Sequence, residues 1–265
     1  MKKHTILITG AGSGIGRASA VSLAKRGHKV IATCKYLEQV AFFDEFSNLD
    51  IESIKLDILN PKDRNKIFNY KFDRFISNAG IGDSGAISEV NTATIERVFK
   101  TNVIASIDLI QLVIKKWTIE KIQDSKIIVI GSLVGKVALP FLGPYVISKF
   151  AIEAYCECLR FELKLIKEAN IKISLVEPGS YATGFNKNNM IRMYNFMKNG
   201  SYYSNISNKI FKYQNMFWNI TEKKNIGSIV KIYTKAVESP SNKFRYSAPL
   251  TQSLIVKLLQ IFPTP

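Results

Sequence analysis

One short segment near the start of the chain constrains the fold more than any other. The apolar run Ile6-Leu7-Ile8 leads directly into Thr9-Gly10-Ala11-Gly12-Ser13-Gly14-Ile15-Gly16-Arg17. Three consecutive branched apolar residues read as a strand buried on both faces. Glycines at this density permit a tight turn, a close backbone approach and close packing of a helix on the strand. A helix beginning near Gly14 then presents free N–H groups and the positive end of its dipole to whatever lies in front of the turn. A strand, a glycine turn and a helix in that order form the first half of a βαβ unit, and the turn suits a pyrophosphate.

The rest of the chain continues the alternation. Apolar strand-like runs occur at residues 5–9, 29–34, 51–56, 74–77, 126–132, 172–177 and 244–246. Longer helical segments separate them, at 14–26, 35–46, 61–69, 92–117, 145–168 and 226–238. Gly27 suits the stop of the first helix, and Asn60-Pro61 the start of the third. This pattern predicts an α/β fold: a doubly wound, mostly parallel seven-stranded sheet with helices on both faces, of Rossmann type. One domain over residues 1–265 accommodates it. Residues 184–225 differ in texture, being rich in Asn, Lys, Tyr, Phe and Met, with Glu222 the one acid between 184 and 235. They read as a small helical lid over a substrate. Residues 250–262 carry Leu and Ile at helical spacing, suited to the body, a partner subunit or a membrane surface.

Composition narrows the class further. No apolar run approaches the about 18 residues needed to cross a bilayer, and the apolar stretch before Gly10 is too short for a signal-peptide core. The 3 cysteines make no disulfide framework, and Cys156 and Cys158 fall on different helix faces. A reducing, cytoplasmic setting and no metal are expected. The 2 histidines, His4 and His28, sit beside early strands, which argues against a histidine-based triad. The net charge of +16 is spread along the chain. It reads as compositional, disfavours nucleic acid as the partner, and leaves peripheral contact with a membrane open.

The strongest chemical signal lies between 127 and 159. Ser132 follows an apolar strand, and Tyr145 and Lys149 stand one helical turn apart on one face. An ammonium beside a phenol favours the phenolate and would draw the tyrosine pKa from about 10 toward neutrality. Such a tyrosine exchanges protons with an alcohol or a carbonyl near neutral pH. Ser132, at a strand end facing the same crevice, would bond the same oxygen.

These features together resemble the short-chain dehydrogenase/reductase family. Gly10, Gly14 and Gly16 match its T-G-x-x-x-G-x-G loop, and Ser132, Tyr145 and Lys149 match its Ser…Tyr-x-x-x-Lys centre at the usual separation. The resemblance runs from residue 4 to about 249 and is nearest the hydroxysteroid and retinol dehydrogenase-like branch. It implies an oxidoreductase exchanging hydride between a nicotinamide cofactor and an alcohol or ketone, here bulky and apolar. By resemblance Tyr145 is the general acid/base, Ser132 polarises the carbonyl, Lys149 binds the nicotinamide ribose, and Asn102 in Lys100-Thr101-Asn102-Val103 holds a relay water. Cofactor contacts are implied at Gly10, Ser13, Gly14, Ile15, Gly16 and Arg17. Further contacts are implied at Asp57 (adenine), Asn78-Ala79-Gly80, and Pro178, Gly179 and Thr183 (carboxamide or diphosphate).

The cofactor choice follows from the second strand. NAD-specific units carry an acid at its end to bind the ribose 2′-hydroxyl. Here that position is Cys34, followed by Lys35, with Thr33 before it and Arg17 a second cation. NADP(H) is therefore expected over NAD(H). The family pairs through its two long helices, here 92–117 and 145–168, which implies a homodimer or homotetramer. Leu133, Phe141 and Leu142 are expected beside the centre, with Phe185, Met190, Met193, Tyr194, Phe196, Met197, Tyr202, Tyr203, Phe211, Tyr213, Phe217 and Trp218 supplying an apolar pocket. Two other readings keep the same fold: a non-catalytic NADP-binding regulator, and a basic surface that binds membrane or nucleic acid.

Overall fold

The computed structural model describes residues 2–262. Met1 and residues 263–265, the ends of the expected domain, lie outside them. Seven strands form one parallel sheet: β1 (Thr5–Ile8), β2 (Lys29–Cys34), β3 (Ile51–Lys55), β4 (Arg74–Ser77), β5 (Ser125–Ile130), β6 (Ile171–Pro178) and β7 (Arg245–Ala248). Their order is β3-β2-β1-β4-β5-β6-β7. The order reverses between β1 and β4, so the loops leaving these strands part and open a crevice at their C-terminal ends.

Side-chain alternation assigns the two faces. Leu7, Phe75, Ile127 and Val129 enter one core layer, while Ile6, Ile8, Ile76, Ile128 and Ile130 enter the other. The first layer is covered by α5 (Ala105–Ile119) and α6 (Gly143–Glu162), the second by α1 (Gly14–Lys25) and α9 (Gly227–Glu238). The segments expected as helices at 35–46 and 61–69 are each split. The first is α2 (Leu37–Ala41) running into a 3₁₀ turn, the second α3 (Pro61–Arg64) doing the same. Asn60 caps α3, accepting from the Lys62 N–H at 2.9 Å.

The expected helix 92–117 is three pieces. α4 (Thr92–Phe99) passes through a π turn (Lys100–Ile104) into α5. The cause is Asn102, whose side chain bonds the backbone of Ile81 in both directions: Oδ1 accepts its N–H and Nδ2 donates to its C=O, each at 2.8 Å. A side chain pairing with a loop like a strand edge holds the wider turn in place.

Residues 184–225 form α7 (Phe185–Lys198) and α8 (Ser207–Thr221), a helical pair set between β6 and α9. The tail is α10 (Leu250–Ile261). Lys126, almost wholly buried on β5, donates to the carbonyls of Ala236, Ser239 and Ser241 and so caps the C-terminal end of α9. Among the described residues no helix is long and apolar enough to cross a membrane.

Candidate active site

The glycine turn is fastened to β4 from both sides. Thr9 Oγ1 accepts from the N–H groups of Asn78 and Ala79, at 2.9 and 3.0 Å. Asn78 Nδ2 returns bonds to the carbonyls of Thr9 and Gly10, and the Tyr233 hydroxyl on α9 donates to Asn78 Oδ1 at 2.8 Å. Two glycines are required here. A Cβ on Gly10, whose φ is +65°, would lie 2.8 Å from Ala79 Cα, and one on Gly16 would lie 2.5 Å from the Gly10 carbonyl oxygen. Ser13 is the N-cap of α1 but makes no side-chain cap, which leaves the first-turn N–H groups of Gly14, Ile15 and Gly16 available to an anion. Thr183 lies across the turn from Gly14.

The end of β2 is arranged differently from the sequence reading. The Arg17 guanidinium carbon sits 3.8 Å from the centroid of the Phe42 ring, and the group donates to the Gly12 carbonyl. Its Nε and the Thr33 hydroxyl are both buried without a partner. Lys35, about half exposed, sits 3.8 Å from Asp57 and near the Tyr36 ring. Asp57, expected to accept from an adenine, already accepts the Leu59 N–H at 3.0 Å. Gln39 on α2 leans over Gly12. Phe42 and Gln39 carry no local signal that would have singled them out; only the approach of α2 to the turn does so.

The catalytic candidates meet beyond β5. Ser132 is buried just after the strand, accepting from the Val134 N–H and donating to the Pro178 carbonyl at 3.4 Å. Burial pushes the Tyr145 phenol up to about 12, opposed by the neighbouring Ser132 hydroxyl, which favours the ionised form. Lys149 shares the face of α6 that carries Tyr145, as the i, i+4 spacing suggested. Its Nζ donates to the Ile130 carbonyl at 2.8 Å, lies 5.6 Å from the Tyr145 ring centroid, and is itself lowered to about 8 by burial. Asn102 Nδ2 reaches Ser148, and Ser148 Oγ donates to the Tyr145 carbonyl. The π turn is thereby tied to the helix that carries Tyr145 and Lys149.

The Gly179 N–H bonds the Ala248 carbonyl and the Ser180 N–H bonds Gln252 Oε1, both at 2.7 Å. Pairing of β6 with β7 runs on to Pro178↔Ala248, so β7 and α10 hold the start of the segment that leads to Thr183. Beneath them Glu177, fully buried, joins Lys136, Arg245 and Ser247.

Over this centre lies α7. Phe185 packs edge-on against Tyr145, and Met190, Met193 and Met197 turn inward. Arg192 donates to the Gly82 carbonyl and pairs with Asp83; Glu89 holds Ser201 and the Tyr202 N–H. Tyr203 meets Phe141 edge-on at 5.5 Å. Phe196, Tyr202, Tyr213 and Phe217, expected to line a pocket, are exposed instead, because the inward face of the helical pair is filled by Met190, Met193 and Met197. Among the described residues no group of His, Cys, Asp and Glu could hold a metal ion.

A glycine turn pinned at the sheet reversal, with Ser132, Tyr145 and Lys149 at the neighbouring strand ends, defines a Rossmann-type oxidoreductase. The short chain dehydrogenase family matches residues 4–192, and the chain belongs to it. It is similar to 3-ketodihydrosphingosine reductase of Bacteroides thetaiotaomicron, 30% identical over 197 residues, covering 72% of this chain and 69% of the relative. It is also similar to retinol dehydrogenase 8 of Bos taurus, 30% identical over 193 residues, covering 69% of this chain and 60% of that protein. In fold it resembles a short chain dehydrogenase/reductase from Burkholderia phymatum solved with NAD. The TM-score is 0.81 at 19% identity, covering 100% of this chain and 96% of the other.

Proposed function

We propose that the protein is an NADP(H)-dependent dehydrogenase or reductase acting on a bulky, apolar alcohol or ketone. The observation that carries this reading is the gathering of Ser132, Tyr145 and Lys149 at the strand ends beside the pinned glycine turn. The residues fit a dinucleotide: two glycines whose Cβ atoms would clash, open N–H groups on α1, and the unpartnered Arg17 Nε and Thr33 hydroxyl at the end of β2. Gly10, Ser13, Gly14, Ile15, Gly16 and Arg17 would hold the phosphates. Asp57, Asn78, Ala79 and Gly80 would line the adenosine side, and Pro178, Gly179 and Thr183 the nicotinamide side. The bound cofactor supplies or accepts the hydride.

The remaining chemistry belongs to the chain. Tyr145 Oη passes a proton to or from the substrate oxygen. Ser132 holds that oxygen by a second hydrogen bond. With the cofactor bound, Lys149 would hold the ribose and bring positive charge to the phenol, lowering the pKa that burial has raised. Asn102 steadies the proton path. Phe185, Met190, Met193, Met197, Leu133 and Phe141 give an apolar, adaptable wall that suits a lipid-, steroid- or retinoid-like substrate. The names of the two relatives, for a sphingoid ketone and for retinol, support that class.

The NADP(H) preference rests on Arg17. Its guanidinium sits over the Phe42 ring, and the end of β2 carries Cys34 where an acid would repel a 2′-phosphate. Lys35 adds less, being half exposed and paired with Asp57. Exposed Ile104, Ile147, Phe150, Phe161 and Leu165 around α5 and α6 support pairing of subunits through these helices. Parallel NADPH and NADH titrations by fluorescence test the reading. NADPH binds more tightly, and Arg17→Ala removes roughly tenfold or more of that preference. Equal or tighter NADH binding overturns the cofactor assignment. NADPH oxidation with ketones graded by length and bulk tests the substrate class; preference for the smallest ketones overturns it.

A further inference from the structure

Two helices next to the site turn apolar faces to solvent. On α8, Tyr213, Met216, Phe217 and Ile220 recur at helical spacing, and all are exposed. Ser207 is the one buried residue of that helix, so the stripe has no partner within the chain. On α10, Leu250, Leu254, Leu258 and Ile261 lie opposite the buried Ser253 and Val256, and all four are exposed, Leu250 and Ile261 by about two-thirds or more. The helices are joined: Gln252 on α10 donates to the Thr221 carbonyl at the end of α8, at 2.7 Å, while its Oε1 holds the Ser180 N–H. Exposed aliphatic and aromatic side chains in such number exceed the scattered apolar residues of an ordinary surface.

The charge around them has one sign. Lys209 and Lys212 stand in the first half of α8, Lys223 and Lys224 follow its end, and Lys257 lies on α10; all are exposed. Among the described residues none of the five has a carboxylate partner. Glu222, the sole acid from 184 to 235, is held by Asn186 at 2.8 Å. An apolar stripe flanked by long basic side chains is the arrangement with which a helix lies in the plane of an anionic bilayer: apolar groups enter the acyl boundary and ammonium groups stay at the phosphates.

We infer that α8 and α10 together form a docking face for an anionic lipid surface. Charge complementarity selects this occupant. A second copy meeting the face across a twofold axis would set the same lysines against themselves on a chain of net charge +16. Nucleic acid would meet the lysines, yet gain nothing from Ile220, Leu254 and Leu258, which cannot stack on bases as aromatic side chains do. The inference is independent of the cofactor and substrate proposed above.

Flotation of the full chain with phosphatidylcholine vesicles, with and without phosphatidylserine, is the test. The chain floats with the phosphatidylserine vesicles and little with phosphatidylcholine alone, and binding falls with salt. Phe217→Asp with Ile220→Asp, or Leu254→Asp with Leu258→Asp, reduces partitioning by roughly tenfold or more for each side chain. Lys223→Gln and Lys224→Gln each weaken it roughly fivefold, without touching any apolar contact. Lys121→Gln, in the loop between α5 and β5 at the N-terminal ends of the strands, leaves it within about twofold. No flotation with phosphatidylserine overturns the inference, as does flotation unaffected by these changes. So does sedimentation velocity showing an oligomer that the same Asp substitutions dissociate, which would assign the face to a second copy. All variants are checked for unchanged circular dichroism and thermal midpoint, since these side chains are exposed.

Discussion

The ring of Phe185 stands edge-on to the ring of Tyr145, with centroids 5.3 Å apart and planes at 62°. This contact brings the first residue of α7 against the proposed acid/base and makes the helical pair part of the centre. Phe185→Ala therefore removes an apolar wall while leaving the glycine turn intact. The KM for bulky apolar substrates rises, by roughly fivefold for an aromatic contact of this kind, and NADPH affinity stays constant. Steady-state kinetics with parallel cofactor titration decides it; an unchanged KM would show that substrate does not meet Phe185.

Tyr145→Phe keeps the ring and its packing and deletes only the hydroxyl. Turnover falls by roughly a hundredfold or more, the scale of a lost general acid/base, and NADPH binding stays within about twofold. Retained turnover would place the proton transfer elsewhere.

Lys149 gives a pH signature to the cofactor-free chain. Burial lowers its pKa from 10.5 to about 8. Between these values the unfolded chain binds more protons than the folded one, so the contribution of Lys149 to stability rises with pH through that window and is level below it. Measured against Lys149→Met by urea unfolding, wild type gains on the order of 3 kcal/mol from pH 8 to pH 10.5. A difference that stays constant across this range would mean that Lys149 is not held in a desolvated setting.

Asn102→Ala leaves the Ile81 N–H and C=O without partners and detaches the π turn from Ser148. A stability loss of about 1–3 kcal/mol follows, the scale of an orphaned buried polar group. Activity falls further than stability explains, because α6 then loses the tie behind Tyr145 and Lys149. Full activity in the folded variant would reduce Asn102 to a loop fastener. Thermal unfolding and kcat measured on the same preparation separate the two outcomes.

The sequence by itself determined the strands, their parallel sheet and the place of the glycine turn. These follow from short-range rules: apolar runs buried on both faces, a glycine-rich turn between strand and helix, and a four-residue step from Tyr145 to Lys149. Side-chain direction is another matter. The spacing placed Lys149 beside Tyr145, but the Ile130 carbonyl, 19 residues away, took its ammonium. The same holds for the π turn set by Ile81 against Asn102, for Phe42 beneath Arg17, for the Gly179 and Ser180 N–H groups taken by β7 and α10, and for the half of the 184–225 aromatic residues that faces outward. Each depends on a partner distant in the chain. Local pattern specifies which element forms, whereas the polar partner and the buried face are chosen only when elements pack, because an unpaired buried group costs more than any local preference.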